Sequence, residues 1–138
     1  MDFSSKFTFD QGGETLELNG VRRIAVVGAS ENSRKYGNKI VRDLLSKGFE
    51  VYPVNPGSEV IEGVRCYRDI EELPRDVDLI VFVVPPEVGI QVADKAIKLG
   101  FKRLWFQPGA GSKQIEDLIK NNGVEYSIGR CIMVETSF

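Results

Sequence analysis

The sequence predicts a doubly wound α/β domain built on a mainly parallel sheet. Three observations carry that prediction. Apolar, β-branched runs without polar alternation recur at residues 23–28, 78–84 and 103–107, the pattern of strands buried on both faces. Segments with helix-spaced apolar residues separate them, and strand–helix alternation implies parallel pairing through right-handed crossovers. The 138 residues suit one domain, long enough to bury roughly 68% of its unfolded surface in one core.

Taken in order, residues 23–28 read as a first strand. After a polar loop, Ile40, Val41, Leu44 and Leu45 share one helix face, and Gly48 follows the last turn, where a left-handed cap favours glycine. Residues 50–54 form a second strand, with Pro53 marking a lost ladder donor near its end. Residues 55–58 make a turn, and 60–67 are short and ambiguous between forms. Asp69 with Glu72 reads as an N-cap and its partner before a brief helix ending ahead of Pro74. The strongest strand spans 78–84. Pro85 and Pro86 then set φ for a helix that turns Val88, Val92, Ala93, Ala96 and Ile97 inward and ends at Gly100. A strand at 103–107 and a loop at 108–111 lead to Ser112, a candidate cap for a helix with Ile115, Leu118 and Ile119 inward. Residues 124–128 are the last strand, and 129–134 an apolar segment of undecided form. Residues 1–20 read as an added hairpin or arm, and 21–138 as the domain.

Composition excludes several function classes. The net charge of −2 leaves no electrostatic footprint for nucleic acid. No apolar run approaches the ~18–20 residues that cross a bilayer, and the N-terminal stretch lacks the regions of a signal peptide, so a cytoplasmic address is expected. The chain has no histidine, which removes imidazole-based triads, His metal sites and phosphohistidine relays. Cys66 and Cys131 are 65 positions apart and are expected to be reduced, buried thiols. Trp105, between Leu104 and Phe106, is expected in the core.

Ligands of open α/β sheets sit at the carboxyl ends of the strands, which directs attention to residues 28–37, 54–58, 84–90 and 107–112. The first of these loops has the parts of a phosphate cradle. Gly28 permits close approach, Ser30 and Ser33 offer hydroxyls, and the following helix presents unpaired N–H groups. Arg34 and Lys35 supply charge, Tyr36 a further donor, and Gly37 an open helix start. The spacing fits neither G-x-G-x-x-G nor the P-loop. At the end of the second strand, Asn55 stands where dinucleotide folds place an acid for the ribose.

Together, Gly28-Ala29-Ser30, Lys35-Tyr36-Gly37, Val54-Asn55-Pro56-Gly57, Val84-Pro85-Pro86 and Gln107-Pro108-Gly109 resemble the small stand-alone coenzyme A-binding proteins of bacteria and archaea. These are similar to the Rossmann-like CoA-binding domain of succinyl-CoA synthetase alpha subunits and ADP-forming acyl-CoA synthetases. The resemblance covers roughly residues 20–135 and implies roles. Residues 28–37 would hold the CoA phosphates, with Ser30, Arg34 and Lys35 as donors. Val54, Asn55 and Pro56 would flank the adenosine, Val84, Pro85, Pro86 and Ile90 would line the opposite wall, and Gln107 with Gly109 would approach the pantetheine arm. In several relatives a basic residue follows the second strand. Here that turn reads Gly57-Ser58-Glu59, which leaves the phosphate charge to Arg34 and Lys35. The synthetases also need a catalytic histidine and a nucleotide-grasp domain, so the resemblance is to the binding domain without the reaction.

The expectation is therefore non-catalytic binding of a small molecule, coenzyme A or an acyl-CoA, with no nucleic acid, membrane or metal and no named protein partner. Two other readings stay open. One is a nucleotide-dependent enzyme subunit completed by a partner, using NAD(P) for instance. The other is an interaction module with a vestigial nucleotide site.

Overall fold

The computed structural model describes residues 16–137. Its centre is a five-stranded parallel sheet in the order β2-β1-β5-β6-β7, formed by β1 (Arg23–Val27), β2 (Glu50–Val54), β5 (Leu79–Phe82), β6 (Arg103–Phe106) and β7 (Glu125–Ile128). A two-stranded antiparallel hairpin, β3 (Val60–Ile61) and β4 (Val64–Arg65), stands apart. Four helices connect and cover the sheet: α1 (Tyr36–Ser46), α2 (Pro86–Lys98), α3 (Lys113–Asn121) and α4 (Ile132–Glu135). The chain winds from β1 to β2 in one direction, then returns past β1 to β5 and continues the other way. Such a reversal opens a crevice between the loops that leave β1 and β5.

Alternation along the strands divides the core into two layers. Ala25, Val27, Ile80, Phe82, Leu104 and Phe106 face α2 and α3, meeting Ala93, Ala96, Ile115 and Ile119. The Phe82 and Phe106 rings stack there with centroids 4.3 Å apart. Ile24, Val26, Leu79, Val81 and Trp105 face the other way, against Ile40, Val41 and Leu44 of α1 and Ile132 of α4. Trp105 is buried, as expected.

Local signals explain most element ends. Ser112 caps α3, its Oγ accepting from Ile115 N at 3.1 Å. Asp69 caps a 3₁₀ turn over Ile70–Glu72 by accepting from Glu71 N. Pro86 opens α2. The ambiguous stretch 60–67 is the hairpin, whose turn places Glu62 at φ 50°. Pro53 lies in β2, an edge strand, where a missing N–H is tolerated. The strand expected over 78–84 is shorter, because only Leu79–Phe82 pair in the ladder. Val88, expected to point inward, is half exposed; it sits in the first turn of α2, beyond the sheet's edge. Most of the expected N-terminal hairpin falls outside the described residues, although Leu16 and Val21 are buried against the α1 layer. Among the described residues no helix is long and apolar enough to cross a membrane.

One contact fixes the start of α1. A Cβ on Gly37 would stand 2.0 Å from the Gly28 carbonyl oxygen, so the helix can approach the end of β1 only without a side chain. Gly37→Ala is therefore expected to cost at least about 2 kcal/mol, because the obstruction is backbone. Gly89→Ala places its methyl 3.5 Å from Val84 Cγ2, an ordinary contact, and should stay within about 1 kcal/mol of the parent. Urea unfolding of both variants checks the contrast.

Candidate functional site

A cavity of about 490 Å³ opens at the carboxyl ends of β2, β1 and β5, the place where the winding reverses. Apolar side chains of Val27, Val54, Ile70, Val84, Val88 and Val92 line much of it. Polar groups enter from Ser30, Lys35, Asn55, Arg68, Asp69 and Lys95. An apolar body with a few convergent polar groups is the ordinary make-up of a small-molecule site, and roughly 300–1,000 Å³ its usual size.

The loop after β1 is held by two asparagines. Asn55 Nδ2 donates to Ala29 O at 2.7 Å, while Asn55 Oδ1 accepts from Gly57 N at 2.7 Å. Asn38 is fully buried. Its Nδ2 donates to Ser30 O at 2.9 Å and to Glu62 Oε2 at 3.0 Å, and its Oδ1 accepts from Arg42 Nε at 2.6 Å. Arg42 Nη2 in turn donates to Ser33 O at 3.1 Å. A trans peptide is planar, with N–H opposed to C=O. Tying the carbonyls of Ala29 and Ser30 to asparagines thus turns the N–H groups of Ser30 and Glu31 the opposite way. Gly28, at φ 99°, makes the turn that starts this arrangement; a Cβ there would press to 2.8 Å on Val84 Cγ1.

Charge around the cavity is mostly positive. Lys95 Nζ lies 3.0 Å from Asp69 Oδ1 and 2.9 Å from Glu71 Oε1, so its charge is already answered. The N–H of Glu71 holds the Asp69 carboxyl below the usual range against the effect of partial burial, and Lys95 adds to this. Lys35 and Arg68 meet no carboxylate within ion-pair distance among the described residues.

Of the residues singled out from the sequence, Gly28, Ala29, Ser30, Lys35, Val54, Asn55, Pro56 and Val84 border the cavity. Ser33 and Arg34 are exposed on the outer part of the loop, where Arg34 N donates to Asn32 Oδ1. Pro85 and Pro86 shape the entry to α2, and Ile90 packs against the core layer of α2 and α3. Gly37 is buried beneath Gly28, and Gly109 is an exposed turn residue at φ 87°. Gln107 is fully buried and Tyr36 lies beside it, outside the cavity. Val27, Arg68, Asp69, Ile70, Val88, Val92 and Lys95 also line the cavity and are not among the site residues the sequence points to. The Asp69 cap was visible, but nothing local showed that the hairpin brings its neighbour Arg68 to the end of β2.

The CoA-binding domain family matches residues 22–137. The chain belongs to this family. It is 31% identical over 123 residues to an ADP-forming acetate–CoA ligase of Methanocaldococcus jannaschii, a match covering 84% of this chain but only 18% of the ligase. A conserved hypothetical protein from Pyrococcus furiosus is similar at 66% identity with a TM-score of 0.81, covering 83% of this chain and 98% of that one. A dinucleotide-forming acetyl-coenzyme A synthetase of Ca. Korarchaeum cryptofilum superposes with a TM-score of 0.68 at 31% identity, over 80% of this chain and 26% of its own. The chain thus spans less than a fifth of the ligase and about a quarter of the synthetase.

The CoA-binding domain carries a second polar cluster at the same sheet edge, beyond β6. Cys131, expected as a buried core thiol, is only partly buried. It precedes α4 instead of lying in a strand, so no sheet layer covers it. Its Sγ is 3.2 Å from Tyr36 Oη and 3.5 Å from Gln107 Nε2. Gln107 is itself fixed, its Oε1 accepting from Ile132 N at 2.8 Å and Trp105 Nε1 at 3.1 Å. Partial burial would push the Cys131 thiol up, but hydrogen bonds from Tyr36, Gln107 and the backbone at Met133 and Val134 bring it below its usual range. The phenol that supports the thiolate is correspondingly harder to ionise. Cys66 is buried, with its Sγ facing the Asn55 and Tyr67 carbonyls, and burial pushes its thiol up.

Iodoacetamide labelling should therefore reach half-maximal rate at lower pH for Cys131 than for an ordinary thiol, and Tyr36→Phe should move that midpoint upward. An unchanged midpoint in Tyr36→Phe would remove the phenol from this role. Because the folded value is depressed, the thiolate contributes stability above the unfolded thiol's pKa. That contribution is lost as pH falls through the folded value.

Proposed function

We propose that this domain binds coenzyme A or an acyl-CoA in the cavity at the carboxyl edge of the sheet without transforming it. The observation that carries the reading is the cavity itself, apolar in its body and cationic at its rim, at the switch point of a CoA-binding domain. The valines and Ile70 suit an adenine ring, and the loop after β1, with Ser30, Lys35 and its freed N–H groups, suits the diphosphate. The remainder of the ligand would follow the sheet edge toward Gln107 and Gly109. Binding without reaction is favoured by the residues at hand. The chain has no histidine, and the large relatives devote more than four-fifths of their length to other segments.

Thermal unfolding with CoA, acetyl-CoA, NAD and ATP tests this reading. A ligand at about 100 times its Kd stabilises by about 2.7 kcal/mol, and that shift is expected with CoA. A shift with NAD and none with CoA would overturn it. Lys35→Gln should weaken CoA about tenfold or more, the scale of a charge-assisted hydrogen bond. Arg34→Gln, outside the cavity, should weaken it less.

A further inference from the structure

We propose that Arg68 reads a phosphate on the ligand's ribose, so that the cavity prefers an adenine nucleotide carrying a 3′-phosphate over the same nucleotide without it. This rests on the CoA reading of the cavity and adds the residue that sets its selectivity.

Arg68 is held beside the outer tip of β2. Asn55 N donates to Tyr67 O at 2.9 Å and Tyr67 N donates to Pro53 O at 2.8 Å, so the chain at Tyr67 runs parallel beside the outer edge of β2. Arg68 follows directly and emerges next to Asn55 and Pro56, where its side chain borders the cavity. In doubly wound folds the tip of the second strand is where the ribose rests. An acid there accepts from ribose hydroxyls, whereas a nearby arginine accommodates a ribose phosphate. Here β2 itself ends without an acid, and Glu31, which reaches the turn after it from the loop after β1, accepts from Ser58 Oγ at 2.6 Å. Asn55 takes the position, and both ends of its amide are engaged, with Ala29 O and Gly57 N. With Glu31 engaged by Ser58 and Asp69 by Lys95, the charge left to face the ribose is cationic.

Arg68 differs from the other cations nearby. Lys95 is bound to Asp69 and Glu71. Arg65 lies over the Tyr67 ring, 4.4 Å from its centroid. Lys35 approaches from the loop after β1, on the side assigned to the diphosphate. Asp69, the carboxylate adjacent in sequence to Arg68, is occupied by Glu71 N and Lys95. Glu72 Oε1 touches only the Arg68 backbone, at 3.3 Å. The guanidinium is left with five donors in a planar fork, a geometry suited to a phosphate monoester.

Titration calorimetry of the full chain with CoA and dephospho-CoA tests the proposal. The parent protein should prefer CoA by about ten- to a hundredfold, the range of charge-assisted hydrogen bonds. Arg68→Gln should cost CoA about tenfold more than it costs dephospho-CoA, and Arg68→Lys should keep part of the preference. Lys35→Gln should weaken both ligands by similar factors. Arg68 is exposed, and circular dichroism should find the Arg68→Gln variant folded. Equal affinity of the parent for both ligands, or an undiminished CoA preference in Arg68→Gln, would overturn the assignment. Binding of neither ligand by the parent would overturn the CoA reading, and the assignment with it.

Discussion

The Gly28 carbonyl occupies the space that a side chain on Gly37 would need, and the geometry of the carboxyl edge depends on that contact. It lets the first turn of α1 lie against the end of β1, so the intervening loop must bulge outward over the switch point. With the helix start fixed, Asn38, the third residue of α1, is fully buried within reach of Ser30. A larger residue at position 37 would lift the helix and separate these partners together.

Polar groups, rather than apolar packing, then shape the loop. Burying an amide is costly unless its donors and acceptor are satisfied, and Asn38 is satisfied by three different segments: the loop, the hairpin at Glu62 and its own helix at Arg42. The hairpin is joined to the loop through that side chain and to β2 through Tyr67. Segments far apart in sequence thereby become one rigid rim. At the other end of the edge, Gln107 serves similarly, linking β6 to α4 and to Tyr36.

Much of this fold was legible because its signals are local. Buried parallel strands appear as continuous apolar runs, and Ser112, Asp69 and Pro86 announce element starts within three or four residues. The candidate site was legible where a loop leaves a strand directly, as at Gly28-Ala29-Ser30 and Val54-Asn55-Pro56. It was obscure where tertiary pairing decides position. Arg68 reaches the cavity only because a hairpin with very short strands folds back along β2. Gln107 sits at a strand end like the others, but its amide is claimed by Trp105 and Ile132, partners 2 and 25 residues away that no local pattern reveals. Cys131 was misplaced because an apolar segment of four or five residues reads alike as strand interior and as short helix.

The segment that carries Arg68 has another consequence, for the outer boundary of the sheet. An edge strand with free backbone groups invites a strand from another chain to pair with it. On β2, Pro53 has no N–H, its carbonyl is taken by Tyr67 N, and the next outward N–H, that of Asn55, is taken by Tyr67 O. The half of β2 nearest the cavity is thus closed to extension. Strand addition from a neighbouring molecule would have to occur elsewhere, so pairing along β2 does not extend to the mouth of the cavity.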